Sequence, residues 1–201
     1  LSTHPGSRLD RTISYFAAIS FAIPAWWLGI ILILLFAIQF RIFPSGGMYS
    51  APPPIDPVPR FFDLVLHAVL PIITLVLVSL GPYIYVVRTM TINVAQEDFV
   101  RTARAKGLRE SRVMVTHILR VASPPIITGL ILGLTGTLGG SILIETVFDW
   151  QGMGRLYFET FAGTPDEGMI VALTFVFTLI YIVARILLEV LYVLLDPRVR
   201  Y

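Results

Sequence analysis

Cysteine is absent from this chain. Disulfides, thiolate nucleophiles and thiolate metal ligands are thereby excluded, and the redox compartment cannot be read from cysteine usage. Charge is scarce as well. Only 14% of the 201 residues are Asp, Glu, Lys or Arg, against roughly a quarter in an ordinary soluble domain. So few charges cannot cover a water-facing surface, and with 56% hydrophobic residues and a mean hydropathy of +0.80 the composition indicates a polytopic membrane protein. The formal net charge of +2 is too small to argue for nucleic acid. No GxxxxGK[ST] loop is present to cradle phosphates, and neither HExxH nor a His/Cys cluster occurs. The three histidines stand apart, at His4, His67 and His117, and His67 reads as a packed or interfacial side chain rather than a ligand. No nucleophile–base pair is legible. Covalent chemistry, a resident cofactor and a metal site are therefore not expected. The apolar runs lack the alternation of strands, and an open sheet cannot span lipid. No signal-peptide pattern precedes the first run, and the first residue is Leu1, so a piece of a longer chain is expected.

What the sequence does have is long apolar runs. They fall at about 13–40, 64–90, 121–144 and 168–195. A bilayer core of about 30 Å needs about 20 helical residues, so an all-α, polytopic transmembrane bundle of four spans is expected, forming one domain over residues 1–201. The fourth run carries Arg185 and Glu189, whose i,i+4 spacing lets them pair on one helix face near the membrane surface. Breakers lie inside the others: Pro24 in the first, Pro71 and Gly81-Pro82 in the second, Pro124-Pro125 near the start of the third. They imply kinked helices, either as curved packing or as hinges around a pathway. Gly129/Gly133 and Gly136/Gly140 form two small-xxx-small pairs in the third span, suited to close helix packing. The outer connection, 44–59, is rich in Gly and Pro and reads as irregular.

Positive charge collects in the loop at 93–120, which holds Arg101, Arg104, Lys106, Arg109, Arg112 and Arg120. Arg8 and Arg11 precede the first span, and Arg198 and Arg200 follow the last, whereas the opposite loops hold Asp56, Asp63, Glu145, Asp149, Glu159, Asp166 and Glu167 beside Arg41, Arg60 and Arg155. By the positive-inside rule the basic loop and both ends of this segment face the cytoplasm. The loop itself reads as a short capped helix. Asn93 and Gln96 have capping-box spacing, Glu97 and Asp98 fall in the first turn, Arg104 and Lys106 in the last, and Gly107 follows as C′ with Leu108 at C″. Three roles compete for it: an orientation signal, attraction to anionic lipid, and docking into a partner protein. A small apolar face centred on Ala103 is poor for lipid anchoring.

The same residues resemble a known family. EDFVRTARAKGL, followed by HILR and ASPP, is similar to the cytoplasmic signature loop of ABC importer permeases, in the dipeptide, oligopeptide and nickel branch. PAWWLGIILILLFA at 24–37, ETVFDWQGMGRL at 145–156 and LLDPRVRY at 194–201 are similar to further segments of that family in the same order, so the resemblance covers nearly the whole chain. Gln151 stands where many relatives have proline, and Arg101 where the general signature has glutamate. The resemblance implies a pore-forming inner-membrane subunit for peptides, with nickel or oligosaccharides as alternative cargo; the rival reading of the residues is a non-transporting membrane scaffold that uses the basic helix only to hold a cytoplasmic partner. The resemblance implies ATP-binding ABC subunits, a second related permease and an extracytoplasmic substrate-binding protein as partners. It places ATPase docking on Glu97, Asp98, Val100, Arg101, Ala103, Arg104, Lys106, Gly107 and Leu108, with Ala103 and Gly107 allowing close approach. Thr74, Ser79, Tyr83, Thr128, Thr135, Ser141 and Glu145 are polar residues that either line a pathway or pack the helices.

Overall fold

A computed structural model gives the fold; it describes residues 7–162 and 164–195. His4, Arg198 and Arg200, and all but the first two residues of the 194–201 ending, lie outside the described residues. Among those described, every regular element is a helix: α1 (Arg8–Ala22), α2 (Ala25–Leu32), α3 (Pro57–Ala95), α4 (Asp98–Ala105), α5 (Glu110–Arg112), α6 (Arg120–Leu138), α7 (Ile142–Val147), α8 (Met153–Glu159) and α9 (Glu167–Leu195). Two π-helical stretches, Ile33–Gln39 and Val113–Leu119, continue α2 and lead into α6. Three helical stretches, 57–95, 110–137 and 167–193, are long and apolar enough to cross a membrane, and a fourth span results if α1 and the helix after it count as one. The chain is an all-α, multi-pass membrane protein.

The breakers act unequally. Pro24 ends the first run as a single helix: with φ −62° and ψ 132° it is extended, and a new helix begins at Ala25. Proline there lacks the amide and crowds the preceding turn. Pro71 and Pro82, by contrast, lie within α3, which runs 39 residues without interruption. Pro124 and Pro125 are also inside a helix. The missing Pro124 amide leaves the Arg120 carbonyl free, and the Ser123 hydroxyl donates to that carbonyl at 2.9 Å. Local side-chain donors of this kind let membrane helices carry proline.

The chain forms two compact units. One comprises 1–20, 80–135 and 180–201. It contains two apolar clusters. In the first, Val100, Ala103, Val113 and Ile118 are buried with Val94, Ala95, Leu108 and Met114 around them. In the second, Ile131 of α6 packs with Ala184 and Leu188 of α9, flanked by Ile127, Leu191 and Tyr192. The Tyr192 and Thr128 hydroxyls hydrogen-bond across this α6–α9 contact, and Thr128 also donates to the Pro124 carbonyl at 2.7 Å. Arg185 and Glu189, on the same helix, are exposed, and no ion pair joins them among the described residues.

The other unit comprises 21–79 and 136–179. Its core is Leu32, Leu70, Ile144 and Phe148, with Leu28, Phe36 and Phe43 packed against it. Phe148 is the pin. A methyl group on Gly29 would stand 3.0 Å from its ring, and its carbonyl accepts the Gly47 amide at 2.8 Å. This bond ties down the irregular connection after the first run. A second tie is Ser50, whose amide and hydroxyl donate to the two carboxylate oxygens of Asp63 at 2.8 and 2.7 Å. His67 is buried, with Nδ1–H donating to the Asp63 carbonyl at 2.8 Å, the packed role its position suggested.

Candidate docking site

The basic loop folds into a two-part element. α3 carries on to Ala95, further than the apolar run, because nothing in MTINVA breaks a helix. Asn93 therefore lies in the last turn of α3, and the expected capping box with Gln96 is displaced: Glu97 is the N-cap of α4, extended at φ −66° and ψ 148°, without a side-chain cap bond. Gly107 holds the C′ role that its place in the sequence demands. Its φ is +76°, a left-handed conformation that costs other residues about 1–2 kcal/mol, and its amide closes on the Arg104 carbonyl at 2.9 Å. The reversal sends the chain back through α5 into the π stretch Val113–Leu119.

Burial sorts the residues expected to dock into two groups. Val100 and Ala103 face inward, 0% and 5% exposed, against Val113 and Ile118 of the returning segment. Close approach at Ala103 is thus satisfied from within the chain, which sequence spacing alone did not reveal. Burying Val100, Val113 and Ile118 stabilises the pair of segments by about 1.5–3 kcal/mol for each side chain. Leu108 is half-buried beside them. Glu97, Asp98, Arg101, Arg104, Lys106 and Gly107 are exposed, and a methyl group on Gly107 would meet no other atom within 4 Å. The Arg104 guanidinium donates to both oxygens of Glu110, Nη2 at 2.7 Å and Nε at 3.1 Å, and this hydrogen bonding raises its pKa above the usual arginine value. Arg101 and Asp98 make a looser, solvated pair at 3.6 Å. The outward face therefore carries mixed charge on a helix held rigid from behind.

Gly129, Gly133 and Gly136 are exposed, and a methyl group on any of them would meet nothing within 4 Å beyond its own stretch of helix, so among the described residues they seat no neighbouring helix. Gly140 is not on the helix at all, since α6 ends at Leu138. It belongs to a knot around Glu145. The Glu145 carboxylate is buried and accepts three backbone amides: Ser141 at 3.0 Å and Gly154 at 3.3 Å on Oε1, and Arg155 at 2.6 Å on Oε2. The loops wrap it so closely that a Cβ at Gly140 (φ +83°) would overlap the Gly154 amide, and a Cβ at Gly152 would sit 2.6 Å from the carboxylate oxygens. The Arg155 side chain continues the knot outward, to Asp149 at 2.6 Å and Glu159 at 2.8 Å, hydrogen bonds that raise its pKa. One acid among several closely spaced glycines was the available signal for this arrangement.

Of the polar residues considered for a pathway, Thr74, Thr128 and Thr135 donate to carbonyls of their own helices, those of Leu70, Pro124 and Ile131. Ser141 and Glu145 are taken up by the knot. Ser79 is exposed and Tyr83 half-buried.

Comparison with known proteins gives a consistent result. The family model described as binding-protein-dependent transport system inner membrane component matches residues 1–201. The chain is 33% identical over 197 residues to the oligopeptide transport system permease protein AppB of Bacillus subtilis, covering 98% of this chain and 61% of that protein. It is 32% identical over 213 residues to the dipeptide transport system permease protein DppB of Escherichia coli K12, covering 98% and 62%. To the glutathione transport system permease protein GsiC of Pectobacterium atrosepticum it is 34% identical over 192 residues, covering 96% and 58%. The chain thus spans about three fifths of the length of these relatives.

Proposed function

Because the chain belongs to the family of binding-protein-dependent transport system inner membrane components, we propose that it is a pore-forming membrane subunit of an ATP-driven importer for peptides. The relatives named above carry oligopeptide, dipeptide and glutathione in their names, and all three are peptides. The partners are ATP-binding subunits, a second related permease and an extracytoplasmic substrate-binding protein. Energy comes from the ATP-binding subunits, since this chain has no phosphate-cradling loop. Its basic loop and both ends of the segment face the cytoplasm.

The observation that supports this reading best is the construction of α4. A topology signal needs only charge. Here the charged helix has a buried back, Val100 and Ala103 on Val113 and Ile118, and an exposed front of Glu97, Asp98, Arg101, Arg104 and Lys106 ending at a left-handed glycine. That is a rigid handle fixed to the start of α6. A partner moves it only if the partner's own states bind it differently.

The test uses the full importer in proteoliposomes. Gly107→Asn keeps the backbone, because asparagine tolerates the left-handed region, while Gly107→Asp adds a charge to the outward face. Both variants insert at normal levels; Gly107→Asp loses co-purification with the ATP-binding subunits and ATP-dependent uptake of labelled trialanine. Normal uptake with Gly107→Asp would remove the docking assignment. ATP-independent uptake, or none with the complete subunit set, would remove the importer reading.

A further inference from the structure

α1 carries an acid that its surroundings bury. Asp10 is 4% exposed. Its amide is capped by the Ser7 hydroxyl oxygen at 3.1 Å, and its carbonyl accepts the Ser14 hydroxyl at 2.8 Å, so its backbone is held on both sides. Its carboxylate is gripped by one arginine from α3: Arg88 Nε donates to Oδ1 at 2.9 Å and Nη2 to Oδ2 at 3.0 Å. This is a two-point pair, which fixes direction as well as distance. Arg88 lies on the same unbroken helix that ends at Ala95, two residues before the cap of α4. At about 1.5 Å per residue, the grip is some 10 Å along the helix axis from the end of α3. The Thr91 hydroxyl, one turn further on, is buried and donates back to the Val87 carbonyl, so it offers no competing tie.

A lone exposed ion pair would carry little. This one differs in three ways: the acid is buried, both of its oxygens are used, and it joins two helices 78 positions apart in sequence. We propose that the Asp10–Arg88 pair is a coupling strut that makes α1 move with the cytoplasmic end of α3 when α4 is pulled. Asp10 and Arg88 are positioning residues in this scheme; neither touches the ATP-binding subunits or the peptide. The inference rests on the reading of α4 as the docking helix.

The experiment uses the assembled importer in proteoliposomes, with labelled trialanine as the probe and uptake per ATP hydrolysed as the readout. Asp10→Asn and Arg88→Gln assemble and hydrolyse ATP at the wild-type rate, but uptake per ATP falls by about tenfold, within the roughly 5–150-fold range of a typical coupling free energy between sites. The exchange Asp10→Arg with Arg88→Asp recovers most of the loss. Normal uptake per ATP in both single variants overturns the strut, as does an assembled exchange variant with no recovery. Where the single variants do not assemble, Asp10→Cys with Arg88→Cys replaces them, the only thiols in this chain. Bridging them with a reducible bis-thiol reagent restores uptake per ATP and reduction abolishes it; indifference to the bridge overturns the proposal. Gly107→Asp separates the two readings. Failure of Gly107→Asp with normal single variants leaves docking standing and removes the strut, whereas normal Gly107→Asp removes docking itself.

Discussion

Glu145→Gln tests whether the knot around this carboxylate is an energetic unit. The substitution keeps size and one carbonyl oxygen. That oxygen still faces the Ser141 and Gly154 amides, which the carboxylate accepts at 3.0 and 3.3 Å. In place of Oε2, however, an NH2 group meets the Arg155 amide at 2.6 Å, donor against donor. The shortest bond is lost and a buried amide is left without an acceptor. Leaving the donor of a charge-assisted bond without its acceptor costs about 2–3 kcal/mol, and the change destabilises by that amount. Turning the side chain over does not help, because the NH2 then meets two amides instead of one. For a chain of this size each kcal/mol shifts the midpoint by about 2–4 °C, so thermal unfolding in detergent moves down by about 4–12 °C. Tryptophan fluorescence is a suitable monitor, since Trp150 donates its amide to the Glu145 carbonyl at 2.7 Å and reports on the knot directly. Glu159→Gln is the control: it also removes a carboxylate charge beside Arg155, but its side chain is 56% exposed, and its effect stays under about 1 kcal/mol. A Glu145→Gln midpoint within 2 °C of wild type, by the scale just given, would refute the assignment of the three amides as the source of rigidity.

Two further outcomes follow from the seating of α4. Ala103→Leu forces three extra carbons between α4 and the Val113–Ile118 wall, destabilising by about 1–3 kcal/mol, and proteolysis at 105–109 speeds up accordingly; unchanged proteolysis would mean that α4 is not seated there. A double-mutant cycle on Arg104→Ala and Glu110→Ala gives a coupling energy below about 1 kcal/mol, because the two side chains are 41% and 44% exposed, and a larger value measured in detergent would show a drier site than the fold provides.

The parts legible in the sequence are those fixed by local physics. α9 is readable because its 29 residues hold only three charges, Glu167, Arg185 and Glu189, and its bounds, 167–195, nearly match the run. Gly107 is readable because the end of a helix calls for one left-handed residue, and it is found there at φ +76°. The sidedness of α4 was hidden because its wall, Val113 and Ile118, arrives only after the chain reverses. Gly140 misled because a small-xxx-small spacing looks the same whether it lines a helix or a loop; the deciding neighbour, Gly154, is brought in by α8. Asp10 and Arg88 had no local signature at all, since each alone fits the charge pattern of a cytoplasmic end.

The wall behind α4 is wound as a π-helix from Val113 to Leu119. Such winding accommodates a surplus residue that α-winding would exclude. Removal of a single residue within 113–119 can therefore be absorbed by reversion to ordinary winding, with the downstream faces of α6 still pointing the same way. The same deletion within α6 would swing every later side chain by about 100° around the axis. Insertions and deletions between descendants of one ancestor should accordingly accumulate at this point of the membrane-entering segment and be purged a few turns later.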